Sequence, residues 1–206
     1  MIAEPPPSNA VLPALHGLVL AGGASRRMGR DKAALVYDAQ PQLAVAFALL
    51  APRVEACFVS VRPDQRDEPL RAAFPRLVDL RDDIGPASGL LAAHAHAPEA
   101  AWLAIACDLP NLDAAALDCL IAGRAPQFDA VAFRGARDAL PEPLCAIWEP
   151  AALRRLRAQV DAGRFSPRRA LDADAVRLLD LPAPHVLDNA NTPDDLARLR
   201  GGIRHG

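Results

Sequence analysis

A chain of 206 residues, 51% of them apolar, has room for one sizeable core and little more. A net charge of −2 excludes the broad basic surface that non-specific nucleic-acid binding requires. Aromatics make up 4% of the chain, with Tyr37 the single tyrosine, which also excludes a run of rings on which single-stranded bases would stack.

The first fourteen residues, with an acid and a proline run, lack the basic start and apolar core of a signal peptide. They read as a disordered tail, residues 1–14, ahead of a single domain over 15–206. Residues 15–21 are expected to form the first strand and 42–50 a short buried helix. Strands at 56–60 and 77–80 follow, then an Ala-rich helix over 88–97. The uninterrupted apolar run WLAIAC, 102–107, suits a central parallel strand buried on both faces. A helix at 113–122, strands at 130–133 and 144–148, an Arg-rich amphipathic helix at 151–162 and a late strand at 176–179 complete the alternation. Thr192, Pro193, Asp194 and Asp195 mark the start of a last helix, 192–200, with a cap, a first-turn proline and acids at the positive end of the dipole. Alternating strands and helices imply a mostly parallel sheet covered by helices. The longest apolar run, 43–51, is too short to cross a bilayer. Of Cys57, Cys107, Cys119 and Cys145, no two have metal-ligand spacing, and Cys57 and Cys107 fall in strand-like runs as buried free thiols. The expectation is a cytoplasmic protein with no membrane and no nucleic-acid partner.

The chain is organised around residues 18–35, LVLAGGASRRMGRDKAAL. An apolar strand runs into paired glycines, Gly22 and Gly23, where backbone must come close to something. Arg26, Arg27, Arg30 and Lys32 then place four cations in seven residues. A Gly-rich loop of backbone N–H groups finished by cations suits a nucleoside triphosphate. It is neither of the two commonest phosphate loops: Gly29 is followed by Arg30-Asp31-Lys32 rather than Lys-Ser/Thr, and GxGxxG does not occur. A solvated basic loop after a buried strand is the plainer alternative.

Ligands of open α/β sheets bind beyond the carboxyl ends of the strands, and Asp108 comes directly after WLAIAC. Its carboxylate suits Mg²⁺, a hard cation that bridges to substrate phosphates; Pro110 and Asn111 leave a turn cap as the alternative. Asn189 and Asn191 offer amide donors and acceptors, or simply turns before the last helix. His94 and His96, two apart on a helix, do not share a face. Arg62 reads as solvated, with a phosphate or base contact as the alternative, and Arg154, Arg155 and Arg157 as a solvated helix face, with an anionic partner as theirs; Arg168 and Arg169 fall in a loop leading into a short helix, from which they could reach an anionic substrate.

Taken whole, LAGGxSxRMGxDKA resembles the signature of the molybdenum cofactor guanylyltransferases, with matches at Leu20, Ala21, Gly22, Gly23, Ser25, Arg27, Met28, Gly29, Asp31, Lys32 and Ala33. The resemblance implies a three-layer Rossmann-like nucleotidyltransferase fold with a mostly parallel sheet. It implies transfer of GMP from GTP to the phosphate of molybdopterin, with Mg²⁺ on Asp108 and release of pyrophosphate. Leu20, Ala21, Gly22, Gly23 and Lys32 would hold the nucleotide, and Arg27 and Lys32 would stabilise triphosphate charge. VDLRDDIGPASG is similar to the family's D-x5-GPLAG element, which places Asp79 at the base and ribose, with Asp83 one register slip away. There Gly85, Pro86 and Gly89 would admit the base, Ser88 would cap the next helix, and Ala87-Ser88 depart from the family's Leu-Ala. PEPLCAIW, 141–148, resembles the segment around the pterin pocket. DNANTPDD resembles the N-x-NTPED element, which puts Asn189 and Asn191 on the pterin side. Pterin-loading proteins and molybdoenzymes would be transient partners. A cytidylyltransferase on the same pterin, a transferase for another phosphorylated acceptor, and a non-catalytic nucleotide or pterin carrier stay open.

Overall fold

A computed structural model describes residues 11–22, 33, 36, 37, 40–81, 83–136, 138–171 and 174–189. Gly23, Arg27, Lys32, Asn191, most of the basic loop and the expected helix at 192–200 lie outside the described residues. So do residues 1–10 of the expected tail. At the tail's end the Pro13 carbonyl accepts from Arg124 and the Ala14 carbonyl from the Ala101 N–H.

The sheet strands are β1 (Leu15–Leu20), β4 (Cys57–Val61), β5 (Arg76–Val78), β6 (Ala101–Ala106), β7 (Ala130–Arg134), β8 (Pro141–Trp148) and β9 (Val176–Leu179). A small hairpin, β2 (Val36–Tyr37) with β3 (Gln40–Pro41), stands apart. The helices are α1 (Gln42–Leu50), α2 (Pro69–Ala72), α3 (Pro86–His96), α4 (Ala114–Ala122), α5 (Pro150–Asp161) and α6 (Pro167–Ala170). The seven strands lie in the order β5-β4-β1-β6-β8-β7-β9. The first four run parallel, and only β8 runs against its neighbours, β6 and β7.

The strands at the middle of the sheet are buried on both faces, and their alternation sorts residues between two cores. Val19, Leu103, Ile105, Val131, Phe133 and Ile147 pack with α1 and α4. Leu18, Trp102, Ala104, Ala132, Ala146 and Trp148 pack with α3 and α5. The second face is rich in alanine, which lets the two helices sit close to the sheet, while the indoles of Trp102 and Trp148 fill its end. The result is three layers, as the resemblance implies.

Two of the expected elements and one side chain differ from their reading, and the β2–β3 hairpin and α2 are not expected from sequence at all. The helix expected at 88–97 starts two residues earlier, because Pro86 presets the helical φ at its first position and Gly85, at φ 59°, makes the left-handed turn before it. Ser88 therefore does not cap α3; it is buried inside the helix, and its hydroxyl accepts from the Arg81 N–H at 2.8 Å. Strand β8 begins at Pro141 rather than 144, and its register against β7 shifts between Ala132 and Arg134. Arg155 is not a solvated residue: it donates to the Ala170 carbonyl at 2.7 Å and to Asp129 at 2.8 Å, holding α5 against α6 and the entry to β7. All four cysteines are free thiols, and burial pushes Cys57 and Cys145 up to about 12. Among the described residues no helix is long and apolar enough to cross a membrane.

Candidate nucleotide and acceptor site

The carboxyl ends of β1, β4, β5 and β6 meet at one rim, since all four run the same way. Register sets their neighbours: Leu20 stands opposite Ser60 on one side and Ala106 on the other. The Cys107 N–H donates to the Leu20 carbonyl at 3.3 Å, and the Asp79 N–H to the Val61 carbonyl at 2.8 Å. Ala21-Gly22, Arg62, Asp79 and Asp108 thus emerge side by side, from four adjacent strands.

Gly22 and Asp79 come together closely. A Cβ built on Gly22 would stand 2.9 Å from Asp79 Oδ2 and 3.4 Å from Arg62 Cγ. The other carboxylate oxygen, Oδ1, accepts from the Ser60 hydroxyl at 2.5 Å, so a serine on β4 fixes which way the acid faces. Asp83, the alternative by one register slip, is exposed and tied to Arg81 at 2.7 and 3.0 Å, and this pairing holds its carboxyl below the usual range. Arg62 binds Asp64 through two bonds of 2.5 and 2.8 Å, the contact that lowers Asp64. Gly89 does not open space for a ligand. Its missing Cβ would meet the Ser60 hydroxyl and Leu20 Cδ2, the latter at 2.9 Å, so the glycine lets α3 pack on β1 and β4.

On the other side of β1, a cavity of about 730 Å³ opens between the ends of β6, β7 and β8. Asp108, half-buried, lines it together with Asp138, Glu142, Asp188, Asn189 and Arg168. Arg168 is the one cation lining it among the described residues, and it spans Asp138 at 2.6 Å and Glu142 at 3.4 Å. The loop from β7 to β8 needs Gly135 to hold these acids close: a Cβ there would stand 2.6 Å from Glu142 Oε1 and 2.9 Å from Asp138 Oδ1. Asn111, just beyond Asp108, donates to the His185 carbonyl at 3.1 Å and ties the segment carrying Asp188 and Asn189 to the turn after β6. No three described His, Cys, Asp or Glu side chains cluster as a metal cage. A single carboxylate still fits Mg²⁺, which usually takes one or two carboxylates and completes its shell with phosphates and water.

Residues 17–178 match the model of the MobA-like NTP transferase domain. The chain belongs to the MobA-like NTP transferase family. A probable molybdenum cofactor guanylyltransferase of Nostoc sp. is 32% identical over 193 residues, 91% of each chain. A molybdenum cofactor biosynthesis bifunctional protein of Synechocystis sp. is 35% identical over 185 residues, 90% of this chain; the chain spans only 53% of that longer relative. Molybdopterin-guanine dinucleotide biosynthesis protein A of Archaeoglobus fulgidus has the same fold, with a TM-score of 0.71 at 23% identity over 93% of this chain and all of that one. Membership makes this MobA-like chain a nucleotidyltransferase and accounts for the three-layer architecture.

Of the residues expected from sequence, Leu20, Ala21, Gly22, Asp79 and Asp108 reach one rim, and Asn189 joins Asp108 at the cavity. Sequence reasoning missed Ser60 and Asp138, and reached Glu142 only as part of the 141–148 segment. Their types are ordinary at such positions, and only the three-dimensional pairing singles them out.

Proposed function

We propose that the chain transfers GMP from GTP to the terminal phosphate of molybdopterin, releasing pyrophosphate. The observation that supports this best is the pair of neighbouring sites on one rim. The Gly22–Asp79 contact suits the nucleoside, the cavity with Arg168 and Asn189 suits a phosphorylated heterocycle, and Asp108 stands at the end of the strand between them. Arg27 and Lys32 follow Gly22 within ten positions of sequence and would neutralise the triphosphate.

Asp108 would hold Mg²⁺, which when bound withdraws charge from the phosphate oxygens. Gly22 and Asp79 orient the nucleotide so that its α-phosphorus faces the cavity. Arg168, fixed by Asp138 and Glu142, meets the acceptor phosphate, and one of that phosphate's oxygens attacks the α-phosphorus in line. The bond to the β-phosphate oxygen breaks, and pyrophosphate leaves with the charge, stabilised by Arg27 and Lys32. No covalent intermediate with the protein is required. Such catalysis is orientation and electrostatics. The substitution of Leu-Ala by Ala87-Ser88 does not argue against guanine, because both residues are buried in α3 and the serine hydroxyl is engaged with Arg81.

The test incubates molybdopterin and Mg²⁺ with each of the four nucleoside triphosphates and weighs the product. Addition of GMP is expected, with the Asp108→Ala variant folded but slower by about two orders of magnitude. Preferential addition of CMP would overturn the choice of base, and full activity of Asp108→Ala would overturn the role of that carboxylate.

A further inference from the structure

The carbonyl oxygen of Ala21 accepts a hydrogen bond at 2.9 Å from Nη2 of Arg71, fifty positions away in sequence. Arg71 stands on the four-residue helix α2, between β4 and β5, and is fully buried. A guanidinium is costly to bury unless it is paired and hydrogen-bonded. Glu68, three residues earlier, supplies the opposite charge to Nη1, while Nη2 is spent on Ala21. The amide side of Ala21 is held as well, its N–H donating to the Ser60 carbonyl at 3.2 Å. The residue that leads into the Gly-rich loop is therefore anchored at both ends of its backbone, and one anchor is a buried cation.

The direction of that anchor has a consequence for Gly22. The described chain contains no cis peptide bond, and in a planar trans peptide the C=O and the following N–H point opposite ways. A carbonyl drawn inward to Arg71 turns the Gly22 N–H away from the buried side. At this rim, beside the Asp79 carboxylate, an outward N–H is a donor set in place before any ligand arrives.

We propose that Arg71 is a positioning residue of the nucleotide site: its fork clamps Glu68 and Ala21 together so that the Ala21–Gly22 peptide presents its N–H to a nucleoside triphosphate. This rests on the nucleotidyltransferase reading and adds a residue from outside the loop that reading uses. A lysine at 71 reaches one partner and not both, because an ammonium lacks the planar fork.

The four nucleoside triphosphates, each with Mg²⁺, are titrated calorimetrically into the wild type, Arg71→Lys and Arg71→Met, and each protein is melted separately. Affinity for the triphosphate that the wild type prefers is expected to fall about tenfold in Arg71→Lys and about a hundredfold in Arg71→Met, the scale of a misplaced reacting group. Wild-type affinity in folded variants, however far their melting points drop, would overturn the proposal and leave Arg71 a stabilising residue alone. Should Arg71→Met fail to fold, Arg71→Lys decides by the same criterion. A wild-type protein that binds none of the four would overturn the nucleotidyltransferase reading itself, an outcome separate from unchanged affinity in the variants.

Discussion

At the scale of single residues, the site turns on the approach of Gly22 to Asp79. Gly22 is not needed for a left-handed φ; the described glycines with positive φ are Gly85 and Gly163. It is needed because any Cβ would stand 2.9 Å from the carboxylate. The acid has little freedom to yield, since Ser60 holds its other oxygen at 2.5 Å. Gly22→Ala should therefore raise the KM for the nucleoside triphosphate about tenfold with little change in melting temperature, as steady-state kinetics and a thermal melt would read. Unchanged KM would mean that Asp79 does not face the nucleotide.

A second residue, Asp138, carries a pH signature. The Leu140 N–H that it accepts at 3.1 Å holds its carboxyl below the ordinary 3.8; exposure leaves burial little power to oppose this, and Arg168 lowers it further. A carboxyl depressed in the folded state contributes stability above its unfolded value and loses it as pH falls through the folded value. The gap in urea midpoint between wild type and Asp138→Asn should thus be constant from pH 5 to 8 and close only in acid, below about 3.8. A gap that opens between pH 6 and 8 would mean that another group is responsible.

At the scale of elements, α3 shows how packing and site are joined. Gly89 lies inside the helix, where alanine is intrinsically better by about 1 kcal/mol. Here the added methyl would meet the Ser60 hydroxyl, Ser60 Cβ and Leu20 Cδ2, the two carbons at 2.9 Å. Overpacking of that kind costs about 1–3 kcal/mol. Gly89→Ala should accordingly destabilise the protein despite its propensity gain, and should weaken nucleotide binding by pushing the serine that holds Asp79. A thermal melt that rises would show that α3 can retreat from the sheet. The glycine looks alike in sequence whether it makes room for a base or for a serine, so the correction at this position needed coordinates.

At the scale of the whole molecule, the sheet edge was legible and the wiring around it was not. Apolar runs such as WLAIAC mark central strands locally; Asp108, just after one, follows from the rule that ligands sit at carboxyl ends, and Gly22 is marked by the paired glycines ahead of the cations. The reversal of β8 between β6 and β7 is set by long-range pairing and leaves no mark in its own residues. The same holds for α2: a four-residue helix has no periodicity to read, and the arginine on it looks like any surface arginine until burial and the bond to Ala21 are seen. The cavity beside Asp108 is likewise assembled from segments eighty positions apart, with Asp108 at one end and Asn189 at the other.

In the proposed reaction, nucleotide and acceptor meet on one rim, across the end of β6. A crystal of the protein soaked with GTP and Mg²⁺ tests this most directly. Electron density is expected for guanosine against Gly22 and Asp79, with Mg²⁺ held by Asp108 and the cavity by Arg168 left for the acceptor. Triphosphate bound away from that rim, or a metal held without Asp108, would contradict it.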